Sequence, residues 1–305
     1  MQFLHTELDV KREESVFISG IGCAARFPYY MSTYGMHTIH GRSPAIATGL
    51  AMSRPDLDIW VVGGDGDMLS IGGNHLIHAL RRNIDMTILL FNNQIYGLTK
   101  GQYSPTSEVG KVTKSTPMGS IDRPFNPISV ALGANATFVA RTHDLDRKHM
   151  IDVFRQAKEH KGASLVEIYQ NCNVFNDGAY DPILKRDNRA EMMVNLVHGE
   201  TIKFGAEEQR GIVIRDGKAV AVDIADVDAS ELVVHDASIE DPAMAFALGN
   251  LSNDNFTPTP FGVFRAIDAP EYGEGVSNQL LAANEESGPG DLGDLLQSGA
   301  TWIVE

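Results

Sequence analysis

Two side chains, Asp65 and Asn93, are placed to do chemistry together. The stretch Ile59–Gln102 reads IWVVGGDGDMLSIGGNHLIHALRRNIDMTILLFNNQIYGLTKGQ: an apolar strand, a glycine-acid loop, a helix, a second apolar strand and an amide-rich loop. Asp65 follows the first strand and Asn93 the second. A right-handed crossover brings such strand ends to the same edge of a parallel sheet. Mg²⁺ prefers oxygen ligands in octahedral array and is usually held by one or two protein groups plus phosphate oxygens and water. Asp65 offers a carboxylate, Asn93 a neutral carbonyl oxygen, and the main chain at Ile95 a further oxygen. Gly63, Gly64 and Gly66 lack the β-carbons that would keep a phosphate from the backbone, and a helix expected to start near Ser70 aims unpaired N–H groups at the same place. A diphosphate is the natural ligand. For Gly64-Asp65-Gly66 alone, a tight turn in an ordinary α/β crossover would suffice; the Asn92-Asn93 pair after the very next strand favours the cation site.

The elements that position these groups alternate. Val16–Ser19, Leu57–Val62, Thr87–Asn92, Ala136–Ala140 and Ser164–Tyr169 read as short buried strands, and Pro44–Ser53, Ile71–Arg82, Pro127–Leu132 and Asp144–Glu159 have helical periodicity. Such alternation predicts an α/β fold with a doubly wound parallel sheet. Cys23, Asp65, Asn93, Arg141 and Cys172 then follow successive strands, on the carboxyl edge where open α/β sheets bind ligands. A lone cysteine is most often a small buried hydrophobe. Two of them at strand ends beside a diphosphate site point instead to thiolate ligands of an iron–sulfur cluster, which normally takes four. Gly97–Asn126 is too long for an ordinary connection and reads as a functional loop. After Tyr180 the pattern weakens, with a hairpin expected at Ile212–Val222 around Asp216-Gly217, a helix over Asp241–Asn250, and an extended arm or paired helices over Glu271–Gly299. His75 and His78 share a helix face with no third ligand in view and read as packing residues.

With 305 residues, 43% of them hydrophobic, the chain can bury a large core. It has no apolar run of membrane-spanning length and no signal peptide, so a soluble cytoplasmic protein is expected. Two cysteines exclude a disulfide scaffold. The net charge of −15 lies entirely after residue 180, where 23 acidic side chains face 8 basic ones, against 17 of each before it. Nucleic acid is therefore not an expected partner. The acidic half is either a solvated face or a docking face for a partner subunit.

The runs SGIGCAARFPYY, HGRSPAIATGLA, GGDGDMLSIGGNHLIHALRRN and NNQIYGLTKGQYSPTS resemble the β subunits of 2-oxoacid:ferredoxin oxidoreductases, most closely the 2-oxoglutarate type. The likeness runs from about Ser15 through the STPMG and YQNCNVFNDG segments and, more thinly, to TPFGVFRA and TWIVE. It implies thiamine diphosphate held through Mg²⁺ by Asp65, Asn93 and the Ile95 carbonyl, with Gly22, Gly64, Gly66, Asp67, Gly97 and Leu98 around the cofactor. It also implies a [4Fe–4S] cluster to which Cys23 and Cys172 contribute. Arg26 and Lys100 line the substrate pocket in this picture, and His40 and Arg42 approach the diphosphate or the reacting carbon, with Lys100 also in a catalytic role.

The implied reaction is oxidative decarboxylation of a 2-oxoacid to acyl-CoA and CO₂, with electrons passed through the cluster to ferredoxin. The glutamate that activates the cofactor belongs to the α subunit in this family, so the chain is expected to act only with that partner. Residues 1–180 form the cofactor domain in this picture, and 181–305 an irregular acidic extension that contacts the partner. The family's β subunits carry a Cys-Pro-Gly-Cys pair upstream of SGIGC, and none stands in residues 1–19. Phe3, Leu4, Leu8 and Val10 suggest an amphipathic helix without an N-cap, so the chain is expected to start inside a longer reading frame, with an incomplete cluster ligand set. Three other functions fit part of the pattern: a pyruvate or broad 2-oxoacid enzyme, a non-redox thiamine-diphosphate decarboxylase or synthase that needs neither cysteine, and a cluster-less interaction subunit. A nicotinamide dehydrogenase is disfavoured, because the GGDGD loop lacks the G-x-G-x-x-G spacing.

Overall fold

A computed structural model of the chain describes residues 6–7, 10–251 and 257–303. Eleven strands are present among these residues: β1 (Ser15–Ser19), β2 (Tyr34–His37), β3 (Asp58–Gly64), β4 (Met86–Asn92), β5 (Phe138–His143), β6 (Ala163–Tyr169), β7 (Met193–Leu196), β8 (Lys203–Phe204), β9 (Arg210–Arg215), β10 (Lys218–Asp223) and β11 (Thr259–Ala266). Eight form one sheet in the order β2-β1-β3-β4-β6-β5-β11-β7. Every neighbouring pair is parallel except β11 with β5. The expected strands are therefore found, joined by three that lack a continuous apolar run or stood in the weaker half.

The apolar runs are continuous because the sheet is covered on both faces. Ile18, Val61, Ile88, Leu90 and Leu165 pack on one side with Ala47, Leu76 and Leu80 from two helices, α1 (Ser43–Ser53) and α3 (Gly73–Arg81). Phe17, Trp60, Val62, Leu89 and Val166 alternate to the other side and meet Val153, Phe154 and Ala157. Those three belong to α5 (Arg147–Glu159), whose N-cap Asp146 accepts from the N–H groups of Lys148 and His149 at 3.0 and 3.1 Å. On the first face, α4 (Pro127–Gly133) is capped by Asn126 in the same way.

Three local expectations need correction. The helix anticipated over Ile71–Arg82 is present as α3, but the glycine-acid loop before it is itself helical: α2 (Asp65–Leu69) begins at the acid, with a break at Ser70–Gly72 between the two. The break lets Gly72 pass so close to Gly41 that a β-carbon on Gly72 would stand 2.5 Å from the Asp67 carbonyl and 3.0 Å from the Gly41 α-carbon. Second, β5 runs to His143. Its last residues, Arg141, Thr142 and His143, look like loop by polarity yet are all buried, and Arg141 stands inside the strand opposite Glu167 rather than beyond its end. Third, the segment after Tyr180 is not irregular, since it supplies β7 and β11 to the main sheet and a second antiparallel sheet, β10-β9-β8. The expected hairpin joins β9 to β10, with Asp216 at φ 51° and Gly217 at φ 73°, the left-handed pair that a tight two-residue turn requires.

After the short helices α6 (Asp181–Leu184) and α7 (Arg186–Met192), the helix α8 (Ala243–Asn250) is as expected, and Glu271–Gly299 contains two helices, α9 (Tyr272–Ser287) and α10 (Leu292–Gln297), neither of which buries a residue. Of the helix anticipated at Phe3, Leu4, Leu8 and Val10, the first three lie outside the described residues, Thr6 and Glu7 are helical, and Val10 is not. No described helix is long and apolar enough to cross a membrane.

His143 gives the fold a pH dependence. It is fully buried, neither ring nitrogen has a hydrogen-bond partner, and the ring lies 6.3 Å from that of His149 and edge-on to Phe261 at 5.1 Å. Burial, aided by His149 and Arg189, lowers its pKa from 6.5 to about 4. Between those values the unfolded chain takes up a proton that the native chain refuses, so stability falls as pH drops from 6.5 towards 4. The loss from this residue approaches about 3 kcal/mol. His143→Phe is expected to remove most of that acid-induced loss, measured as the difference in denaturant unfolding free energy between pH 7 and pH 4. An unchanged difference would mean that His143 is not protonated on unfolding.

Candidate active site

Asp65 opens α2 directly after β3, and Asn93 follows β4, the adjacent parallel strand. The Asp65 side chain is 1% exposed. Its Oδ2 accepts from the Ser104 hydroxyl and from Thr106 Oγ1 at 2.6 Å, while the main-chain N–H groups of Gly66 and Asn93 also donate to the carboxylate. Burial pushes the Asp65 pKa up, and these donors oppose the shift. Asn93 Oδ1 is buried and has no hydrogen-bond partner. An orphaned carbonyl oxygen beside a buried carboxylate is the donor set a hard cation wants, since each such group left unpaired costs stability until something binds it. Gln94, at φ 55°, turns the chain between Asn93 and the buried Ile95.

Of the three glycines expected to leave room for a phosphate, only Gly64 does, since a β-carbon on Gly63 would stand 2.8 Å from the Met68 side chain. A β-carbon at Gly64 would meet only the Phe91 carbonyl, at 3.9 Å. Gly66 is required for another reason: a β-carbon there would strike the Tyr96 ring at 2.2 Å, and the Tyr96 hydroxyl donates to the Gly66 carbonyl at 2.9 Å.

Asp67 reaches the end of β1. Its Oδ1 accepts from the N–H groups of Ile21 (3.2 Å) and Gly41 (2.8 Å) and lies 2.5 Å from His40 Nδ1, while Oδ2 has no partner. Burial raises its pKa against the pull of those partners. A β-carbon at Gly20 would stand 1.9 Å from Asp67 Oδ2, so only glycine fits there. Arg42 donates through Nη1 to the carbonyls of His40 and Ile71 (3.2 and 3.3 Å), which ties it to main chain.

Residues 20–168 match the model of the thiamine pyrophosphate enzyme C-terminal TPP-binding domain. The chain is 58% identical over 302 residues to the 2-oxoglutarate oxidoreductase subunit KorB of Mycobacterium tuberculosis, covering 98% of this chain and 80% of that one. It is 46% identical over 225 residues to the 2-oxoacid:ferredoxin oxidoreductase subunit beta of a Sulfolobus species, covering 68% and 74%. The chain belongs to the 2-oxoacid:ferredoxin oxidoreductase β-subunit family. Its fold agrees with a solved 2-oxoglutarate:ferredoxin oxidoreductase from Magnetococcus marinus, which holds 2-oxoglutarate, coenzyme A and succinyl-CoA, with TM-score 0.74, 31% identity and coverage of 98% of this chain and 87% of that one.

In this β subunit the two cysteines, 149 residues apart in sequence, share one neighbourhood. A β-carbon placed on Gly97 would lie 3.3 Å from Cys23 Sγ and 3.8 Å from Cys172 Sγ. Both thiols are free, Cys23 exposed and Cys172 half-buried. Among the described residues no group of three or more His, Cys, Asp or Glu is set to hold a metal. Gly22, at φ 141°, precedes Cys23, and Leu98 is 55% exposed beside Gly97. Arg26 is exposed with its guanidinium 5.8 Å over the Tyr30 ring, and Lys100 is exposed at φ 76° on the loop after Gly97.

Several residues at the site escaped the sequence reading. Asn176 is buried in the Cys172 loop, donates to the carbonyls of Asn93 (2.9 Å) and Gln94 (3.4 Å), and accepts from Lys111 Nζ. Ser107 donates to the Gln94 carbonyl at 2.6 Å. Ser104, Thr106 and Ser107 come from the SPTS run, and only the density of hydroxyls in that loop hinted at them. Glu167 stands within a strand and gave no signal; Arg141 was expected beyond its strand rather than within it, and Asn92 was noted only as part of the Asn92-Asn93 pair.

Proposed function

We propose that this chain is the β subunit of a 2-oxoglutarate:ferredoxin oxidoreductase, acting with its α subunit to convert 2-oxoglutarate and coenzyme A to succinyl-CoA and CO₂ while reducing ferredoxin. The observation that carries this reading is the buried Asp65 carboxylate beside the unpartnered Asn93 Oδ1 at adjacent strand ends. Asp65, Asn93 and the Ile95 carbonyl would hold Mg²⁺ and, through it, thiamine diphosphate. Gly64 leaves space for the diphosphate, with Gly22, Gly66, Asp67, Gly97 and Leu98 around the rest of the cofactor. When bound, thiamine diphosphate supplies the carbon nucleophile and electron sink that decarboxylation of a 2-oxoacid requires.

The chain's own residues bind and orient. Asp67 anchors His40 through Nδ1, which leaves Nε2 as the nitrogen able to meet substrate. Arg42 holds the His40 carbonyl and so the turn that carries the imidazole. Arg26 and Lys100 recognise carboxylate, the first by its planar fork and the second as a point charge. Cys23 and Cys172, the two cysteines of the sequence, supply two thiolates to a [4Fe–4S] cluster, which normally takes four.

Residues 1–180 carry the cofactor in this proposal, and residues 181–305 meet the α subunit. In support of that contact, Leu280, Leu281, Leu292, Leu295 and Leu296 are each at least 61% exposed on α9 and α10, in a segment with no basic side chain. The test is anaerobic co-expression with the α subunit and viologen reduction with each of two substrates. A kcat/KM for 2-oxoglutarate at least about tenfold above that for pyruvate is expected, a difference of about 1.4 kcal/mol in transition-state binding. Equal or reversed preference would overturn the substrate assignment.

A further inference from the structure

The loop Gly97–Asn126 folds back so that two of its hydroxyls grip the carboxylate just described. Ser104 and Thr106 both donate to Asp65 Oδ2, and each is 2–3% exposed. Thr106 Oγ1 also lies 2.8 Å from Asn92 Oδ1. A hydroxyl has one proton, so Thr106 faces two acceptors and can donate fully to one of them at a time.

The orientation of Asn92 is itself determined. Its Nδ2 donates to Glu167 Oε1 at 2.7 Å, and its Oδ1 accepts from the Gln94 N–H at 3.3 Å. A flipped amide would set oxygen against carboxylate and N–H against N–H. Glu167 is in turn fixed through Oε2 by Arg141 Nε at 2.7 Å, and a second guanidinium nitrogen, Nη1, donates to the Pro260 carbonyl on β11. Glu167 and Arg141 are 0% and 1% exposed, and the guanidinium lies 5.0 Å from the Tyr169 ring centroid and 5.4 Å from that of Phe264. A fully desolvated ion pair of this kind contributes little net stability compared with apolar packing, so its place in the core calls for another reason. Here it ends a line of hydrogen bonds, Arg141 to Glu167 to Asn92, that crosses β5, β6 and β4 and fixes Asn92 Oδ1 as the acceptor 2.8 Å from the Thr106 hydroxyl.

We propose that Thr106, assisted by Ser104, is a positioning residue for Asp65, its hydroxyl proton given to the carboxylate. The proposal rests on the reading of Asp65 as the Mg²⁺ ligand. Its physical content is preorganisation: a buried carboxylate free to rotate would present its oxygens to a cation in several ways, and one gripped through Oδ2 presents them in one.

The test is a Mg²⁺ titration of thiamine diphosphate binding, by calorimetry on the αβ complex, for wild type, Thr106→Val, Thr106→Ser and Ser104→Ala. Thr106→Val keeps the shape and removes the hydroxyl. It is expected to raise the half-saturating Mg²⁺ concentration about tenfold or more, within the 10- to 100-fold range for partners of metal ligands. Thr106→Ser, which restores the hydroxyl, should return it to within about threefold of wild type, and Ser104→Ala should fall between. Thermal melts of the cofactor-free complexes separate this effect from simple loss of packing, because Val and Ser variants of equal stability should still differ in Mg²⁺ demand. A Thr106→Val titration that overlays wild type, or a serine variant as weak as the valine one, overturns the proposal. If wild type itself shows no Mg²⁺-dependent binding, it is the site assignment that fails.

Discussion

Replacement of Asp65 by asparagine is expected to weaken Mg²⁺-dependent thiamine diphosphate binding by on the order of 100-fold or more, beyond what loss of a supporting hydrogen bond would cost. Asparagine is the informative change because it keeps the shape and an acceptor for Ser104 and Thr106, while removing the charge that a divalent cation needs. The fold should tolerate it. Burial already disfavours the charged carboxylate, as its raised pKa records, so a neutral amide removes a desolvation penalty as well as several charge-assisted hydrogen bonds. Asp65→Ala is the harsher companion, since it strands both hydroxyls and the N–H groups of Gly66 and Asn93. Equilibrium titration of the αβ complex with cofactor at fixed Mg²⁺ measures both. Retention of wild-type affinity by the asparagine variant would sink the assignment of Asp65 as the metal ligand.

Cys172→Ser is expected to separate cofactor binding from electron output. The thiol lies beside Gly97 with that of Cys23 and is not among the partners of the Asp65 carboxylate, so thiamine diphosphate affinity should change by less than about threefold. Iron content of the anaerobically purified αβ complex should fall, and 2-oxoglutarate-dependent reduction of viologen should drop by at least about 100-fold, because a serine alkoxide is a poor substitute for a thiolate on iron. Cys23→Ser should behave alike. Should dye reduction survive either change, neither thiol carries the electrons, and a non-redox decarboxylase, which has no use for them, would gain the advantage.

The sheet was legible because strands covered on both faces carry continuous apolar runs, as in Val16–Ile18 of β1, Ile59–Val62 of β3 and Ile88–Phe91 of β4. The end of β5 was not. Arg141, Thr142 and His143 have the polarity of a loop, and only the partners Glu167, His149 and Phe261, supplied by other elements, make their burial tolerable. Likewise β7 and β11 are short or interrupted by Pro260 and Gly262, and they become strands only because β5 offers an edge for β11 to pair with.

At the site, the division falls along sequence distance. Asp65 and Asn93 were readable because each stands one step past a strand in a single crossover, and parallel topology then forces the two together. Cys23 and Cys172 were readable as strand-end residues for the same reason, although their approach to one glycine was not. The grip of Ser104 and Thr106 on Asp65, across 39 and 41 residues, and the bond from Asn92 to Glu167, across 75, follow no period. By itself the sequence determined which groups stand at the carboxyl edge, because backbone periodicity and crossover handedness are local rules. Only the tertiary structure decided which of them hold one another, because hydrogen bonds between distant segments depend on how a loop and three strands pack in three dimensions.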